Sequence, residues 1–199
     1  MEFFEYRGVD KLVYAQIIKD DAENYTTGDV KPLAPVAEIA KTTEISSEAK
    51  YYDNKPMLVI PSEGADTITI TCAPLSLETL ADIAGKTYDE ATGAMVDTIR
   101  EPKNFAIGYR TKGTDGKYRY VWRLKGSFGI PDETNATENA GTDANNMTLT
   151  YTGIMTTHAF AKGGSAKAVV VDTRYDKADI STFFETVTTP DTIKAKTAG

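Results

Sequence analysis

The 199-residue chain contains one histidine, His158, and one cysteine, Cys72, so the inventory of reactive side chains is short. Transition-metal sites need several nitrogen or sulfur ligands, and His158 follows a threonine-rich stretch with no second histidine to join it. It reads as a strand histidine, exposed or hydrogen-bonded. Cys72 and His158 would make a nucleophile and its base, but Cys72 alternates with Ile68 and Ile70 on an apolar face, where a thiol is inert packing. Ser76, Ser127 and Ser165 offer hydroxyls for a Ser-His-Asp arrangement, yet no G-x-S-x-G elbow surrounds any of them. The stretch "GYRTKGTDGK" lacks the G-x-x-x-x-G-K-[ST] order of a phosphate loop. Residues 132–146 are rich in Asp and Asn but do not supply oxygen ligands at EF-hand spacing. Tyr118, Tyr120 and Trp122, interleaved with Arg119 and Arg123, match a stacking platform for single-stranded nucleic acid. They equally match a core-facing strand with a solvated outer edge, and the net charge of -7 favours that reading. No catalytic, cofactor-binding or metal-binding residue is nominated, and the expectation is a protein that is not an enzyme. A hydrolase built from two scattered carboxylates stays open as an alternative, without a nominated pair.

Behind these candidates the dominant pattern is alternation with a period of two, the mark of half-buried strands. Residues 66–72 place Ile68, Ile70 and Cys72 on one face and Thr67, Thr69 and Thr71 on the other. The same alternation runs through Phe105, Ile107 and Tyr109 and through Tyr118, Tyr120, Trp122 and Leu124. Asp115-Gly116 lies between those two runs as a tight-turn signal, so 103–125 reads as a β-hairpin. Further strands are expected at 12–18, 35–41, 55–60, 147–151 and 166–171. One helix is expected at 77–84, with Ser76 as N-cap, Leu77, Leu80, Ala81 and Ala84 at helical spacing, and Gly85 closing it. Residues 176–186 read as a weak second helix, or as readily as a strand or an extended arm.

Three segments lack a core pattern. Residues 20–29 and 132–146 are polar and expected to be exposed, and 42–54 is expected to project as a long hairpin whose Tyr51 and Tyr52 wait for a partner. Chain length and composition fit a single domain over 1–199, with an N-terminal arm at about 1–8 and a C-terminal arm at about 183–199. Phe3, Phe4, Tyr6, Phe183 and Phe184 are apolar groups near chain ends, where order normally requires a docking partner. The acidic start of the chain does not have the form of a signal peptide, and the lone cysteine excludes an internal disulfide, so a reducing cytoplasm is the expected site of folding. Its apolar runs fall far short of the roughly 20 residues of a membrane helix, and no membrane insertion is expected.

The runs "YRGVDKLVYAQIIKDDAENYTTGDVKPLAPVAEI", "EAKYYDNKPMLVIPSEGADTITITCAPLSLETLADIAGKTYDEATGA" and "YVWRLKGSFGIPDETNATENAGTDANNMTLTYTGI" together resemble a major tail protein of a long, non-contractile bacteriophage tail. The likeness extends from about Tyr6 to about Phe160. It implies a mainly β fold, a β-sandwich or barrel with one flanking helix, and hexameric rings that stack into the tube through which the genome leaves the capsid. It further implies partners at the tail tip and terminator, transient passage of DNA, assembly in the host bacterial cytoplasm, and residence in the virion. Within it, Phe3, Phe4, Tyr6, Tyr51, Tyr52, Phe183 and Phe184 are candidate subunit contacts. Asp20, Asp21, Glu23, Glu38, Glu44 and Glu48 are candidate channel-facing acids whose repulsion of phosphate would discourage DNA from sticking. The tube of a prophage-derived particle that carries no DNA would look the same. A β-sandwich binding module for carbohydrate or a receptor is the alternative from another class.

Overall fold

A computed structural model of the chain describes residues 3–131 and 146–196. In chain order the strands are β1 (Tyr6–Asp20), β2 (Tyr25–Thr27), β3 (Lys31–Pro32), β4 (Val36–Tyr52) and β5 (Lys55–Cys72). The single helix α1 (Leu77–Ala84) follows, then β6 (Thr87–Asp89), β7 (Ala94–Val96), β8 (Phe105–Gly113), β9 (Tyr118–Phe128), β10 (Met147–Gly153) and β11 (Ala168–Asp172). The protein is mainly β. One antiparallel sheet runs β2-β1-β8-β9-β10-β5-β4, with β11 added to β9 and β3 to β1, while β6 and β7 form a separate hairpin. The path ends at β2 and β4 and no ladder joins them, so among the described residues the large sheet is not closed by strand pairing; it carries a core on each face.

Alternation explains the two cores. Phe105, Ile107 and Tyr109 of β8 join Leu12, Tyr14, Ile68, Ile70, Cys72, Leu149 and Tyr151 on one face, where Ile83 of α1 covers them. Ala106 of β8 turns the other way, toward Tyr120, Trp122 and Leu124 of β9 and Val169 and Val171 of β11. Gly108 stands opposite Trp122 in the β8–β9 ladder, and a Cβ there would come within 2.9 Å of Val13 and 3.0 Å of the indole. Only a glycine leaves room for the ring. The β8–β9 turn forms at Asp115-Gly116 as expected, with Gly116 at φ 76° and the Asp115 carboxylate accepting from the Lys117 N–H. In α1, Ser76 Oγ accepts from the Thr79 N–H, and Gly85 ends the helix in the left-handed region. Leu80, Ala81, Ile83 and Ala84 are its buried residues, whereas Leu77 is exposed, which shifts the apolar stripe from the one expected.

The end of the described chain corrects the expected C-terminal arm. Residues 176–186 form neither a helix nor a full strand; 176–180 is irregular chain with an isolated bridge from Ala178 to Ala195, and from 181 onward turns run across the second core. Phe183 is only 2% exposed, its carbonyl oxygen accepts from Trp122 Nε1 at 2.7 Å and from the Thr188 hydroxyl, and Val187 packs beside it. Phe184 is half-buried and stacks on Tyr120. The reason is on β9: Tyr120 and Trp122 present a wide aromatic surface that a five-residue β11 cannot cover alone. The segment 20–29 is likewise less open than expected. It contains β2, and Tyr25 donates its hydroxyl to the Leu124 carbonyl. Residues 132–145 lie outside the described residues.

Candidate assembly surface

β4 and β5 form a hairpin far longer than the expected projection at 42–54. Its inner part belongs to the sheet: β5 pairs with β10 from Met147↔Cys72 to Gly153↔Asp66. Outward of Asp66 that third strand ends, and β4 and β5 continue as a two-stranded ribbon from Ile45↔Glu63 to Tyr52↔Lys55. Asp53 and Asn54 close it with φ of 50° and 60°, the pair of left-handed residues that a two-residue hairpin turn requires. A register shift between Thr43 and Ile45 marks where the ribbon begins.

The ribbon is rich in large apolar groups and none is buried. Ile45 is 74% exposed, Tyr51 67%, and Tyr52, Met57, Leu58, Val59 and Ile60 are exposed as well. The pairings put Ile45, Ala49 and Val59 on one face, and Glu48, Lys50, Leu58 and Ile60 on the other. The first face is apolar apart from Ser47 and Glu63, which lie on it opposite Pro61 and Ile45; the other is apolar along Leu58 and Ile60 of β5 and charged along β4, where Lys50 pairs with Glu48 at 2.5 Å. An isolated two-stranded hairpin is marginal in water, and contiguous apolar surface of this kind is larger than scattered surface hydrophobics account for.

The chain start differs in kind. Phe3 is fully open, but the Arg174 guanidinium lies 3.4 Å from the Phe4 ring centroid, and the Arg119 guanidinium lies 4.7 Å from that of Tyr6. Asp172 and Asp115 hold Arg174 through paired hydrogen bonds, so this arm is already docked on its own body by cation–π contacts. Of the seven aromatic candidates, Tyr51 and Tyr52 stand together on the ribbon, Phe3, Phe4 and Tyr6 gather at the arm, and Phe183 and Phe184 belong to the second core.

The six acidic candidates also divide. Asp20 is nearly enclosed: its carboxylate pairs with Lys125 at 2.5 Å and accepts the N–H groups of Thr157 and His158. Burial alone would push this carboxyl up, but those donors outweigh it and hold it below the usual carboxylate range. Asp20 faces the protein interior rather than a channel, because the end of β1 needs an acceptor for the 157–158 backbone. Asp21 accepts the Glu23 and Asn24 N–H groups and pairs with Lys19, which lowers it to about 2. Glu23, Glu38, Glu44 and Glu48 are exposed, the last three along β4.

Three sets of residues escaped the sequence reading. Ile45 and the run Met57, Leu58, Val59 and Ile60 complete the apolar ribbon, and the unbroken apolar run was the available signal. Asp66, 2% exposed, gathers Thr43, Lys41, Arg123 and Lys167; its signal was an acid on the same strand parity as Ile68, Ile70 and Cys72. An open groove of about 870 Å3 between β1, β3 and the start of α1 is lined by Leu12, Leu33, Val36, Leu75, Thr79 and Phe184.

Cys72 is buried, which pushes its thiol pKa up and away from nucleophilic use. His158 packs edge-on to Phe160, and its Nδ1 is enclosed with no hydrogen-bond partner among the described residues. Arg119 and Arg123, expected at a solvated edge, are committed to Asp172 and Asp66. Among the described residues no group of three or more His, Cys, Asp or Glu could hold a metal ion, and no helix is long and apolar enough to cross a membrane. In comparisons with known proteins, no protein-family model and no curated protein matches the chain.

Proposed function

We propose that this chain is a structural virion subunit that assembles with copies of itself into closed, hexameric rings, stacked into the tube of a long non-contractile phage tail. The observation that carries the proposal is the ribbon outward of Asp66, where Ile45, Tyr51, Tyr52, Met57, Leu58, Val59 and Ile60 stand in water on two strands. Such surface is stabilised by covering it, and in a ring of identical subunits each projecting patch meets a different patch on its neighbour. The likeness of the sequence to tail-tube subunits supplies the kind of assembly. In that setting Asp21, Glu23, Glu38, Glu44 and Glu48 are the acids available to a channel wall, where they would repel DNA phosphates over a Debye length of about 10 Å at 0.1 M salt. Contacts at the tail tip and terminator and residence in the virion belong to the same proposal.

The test is to concentrate the purified protein, follow its size by sedimentation and image it by electron microscopy, alongside a variant whose residues 46–62 are replaced by Asn-Gly. The replacement joins Ile45 to Glu63, which already face each other in the ladder, through a two-residue turn. Excising 42–54 instead would remove one strand and strand the other. Hollow stacked rings from the parent and a folded monomer from the variant are expected. Parent-like assembly by the variant would overturn the role of the ribbon, and a parent that binds a carbohydrate saturably as a monomer would move the protein to the binding-module class.

A further inference from the structure

We propose that Asp66 is the positioning residue of the ribbon, its carboxylate fixing the direction in which the ribbon leaves the body. It occupies the junction itself. Asp66 is the last β5 residue paired with β10, through Gly153, and the next ladder steps outward show the register shift from Thr43↔Asp66 to Ile45↔Glu63. Two residues of β5, Gly64 and Ala65, there oppose Glu44 alone, which is the count of a β-bulge and bends the strand. A Cβ on Gly64 would come within 2.6 Å of the Glu44 carboxylate, the movable end of an exposed side chain, and no third strand supports the bend.

What replaces the third strand is a set of charges on one carboxylate. Thr43 donates to Asp66 Oδ1 at 2.9 Å, Lys167 Nζ lies 3.5 Å and Lys41 Nζ 3.7 Å from the same oxygen, and Arg123 Nη1 donates to Oδ2 at 3.2 Å. Those partners come from β4, from β9 and from the residue just before β11. Lys167 reaches further, donating to the Gly64 carbonyl and pairing with Glu63 at 2.8 Å, so it grips the first ribbon residues directly. Asp66, Arg123 and Lys167 are all largely enclosed. Buried ion clusters contribute little net stability against apolar packing, and their best-attested use is to specify one geometry among several. A closed ring demands such a geometry, since a change in the angle between patches turns closure into an open helix. That consequence rests on the ring-forming reading; the orientation of the ribbon does not.

The test reads orientation directly. Spin labels at Lys55→Cys, near the ribbon tip, and Lys177→Cys, on the body, are placed in the full chain, with buried Cys72 left in place. The labelled protein is diluted into unlabelled protein so that only distances within one chain are recorded by pulsed electron resonance. The parent gives one narrow distance distribution, and Asp66→Asn, which removes the charge with little change of shape, gives a broader one. Lys167→Met leaves Thr43, Lys41 and Arg123 on the carboxylate and broadens it by the same route, and it decides the matter alone if Asp66→Asn does not fold. Parent-like width in the folded variants overturns the proposal whatever their assembly. Broadening together with parent-like rings would keep Asp66 as the hinge and remove the ribbon from ring closure.

Discussion

The inner and outer parts of the β4–β5 hairpin share two strands and one ladder but not one environment. On the inner part, Ile68, Ile70 and Cys72 face a core that Leu149, Tyr151 and Ile83 complete, and β10 pairs the second edge of β5. On the outer part, side chains of the same type, Ile45, Val59 and Ile60, are exposed, and neither strand has a second neighbour among the described residues. Strand formation and burial are therefore separate matters. Alternation, β-branched residues and a tight turn suffice for the first; the second requires a layer from elsewhere, which the described residues do not supply for the outer part.

Several measurements break or sharpen that contrast. The largest effect belongs to replacing 46–62 by Asn-Gly: ring formation is lost while the thermal transition of the body stays near that of the parent, as scanning calorimetry on the two proteins will show. Trp122→Ala acts in the opposite sense. It empties a fully buried site and should destabilise the body by about 4 kcal/mol, read from denaturant titration. Asp20→Asn leaves Lys125 without its counter-charge and weakens two backbone hydrogen bonds, for a loss of about 2 kcal/mol in the same titration.

Acid should likewise act on the body. Burial pushes the Asp66 and Asp172 carboxyls up, but Thr43, Lys41, Lys167 and Arg123 around the first, and the Arg174 N–H and guanidinium beside the second, hold both below the usual range. A depressed carboxyl contributes fully above its unfolded value and loses that contribution as pH falls through the folded one. Circular dichroism should accordingly find the body losing stability below about pH 4, where protonation of carboxyls begins. The smallest effect is expected for Tyr51→Ser, which should change monomer stability by less than about 0.5 kcal/mol, because the exposed ring has no core to leave. Any larger loss would mean that the ribbon contributes to the fold of the body.

Local signals made much of the fold legible. Asp115-Gly116 located the β8–β9 turn, Ser76 and Gly85 bounded α1, and the Thr/Ile alternation of 66–72 named the correct inward face. What stayed hidden depended on layers that are distant in sequence. Phe183 was read by its nearness to the chain end, whereas its place is decided by the indole of Trp122, 61 residues earlier. Asp20 was read by the acidity of its neighbours, although Lys125 and the 157–158 backbone decide its setting. The ribbon was half legible: Tyr51 and Tyr52 signalled a projecting apolar surface, but in Met57 to Ile60 every position is apolar, so parity could not say which side faced inward or whether either did.

The hydrogen bond from Trp122 to the Phe183 carbonyl has an optical consequence. Trp122 is the only tryptophan, it is fully buried, and the ribbon carries tyrosines but no indole. Intrinsic fluorescence excited at the red edge of the absorption band therefore watches the second core alone. Its emission should remain blue-shifted and unquenched when ribbons engage one another, and should move to longer wavelength when the turn segment around Phe183 peels from the sheet. A single native chromophore thus separates association from unfolding without a label.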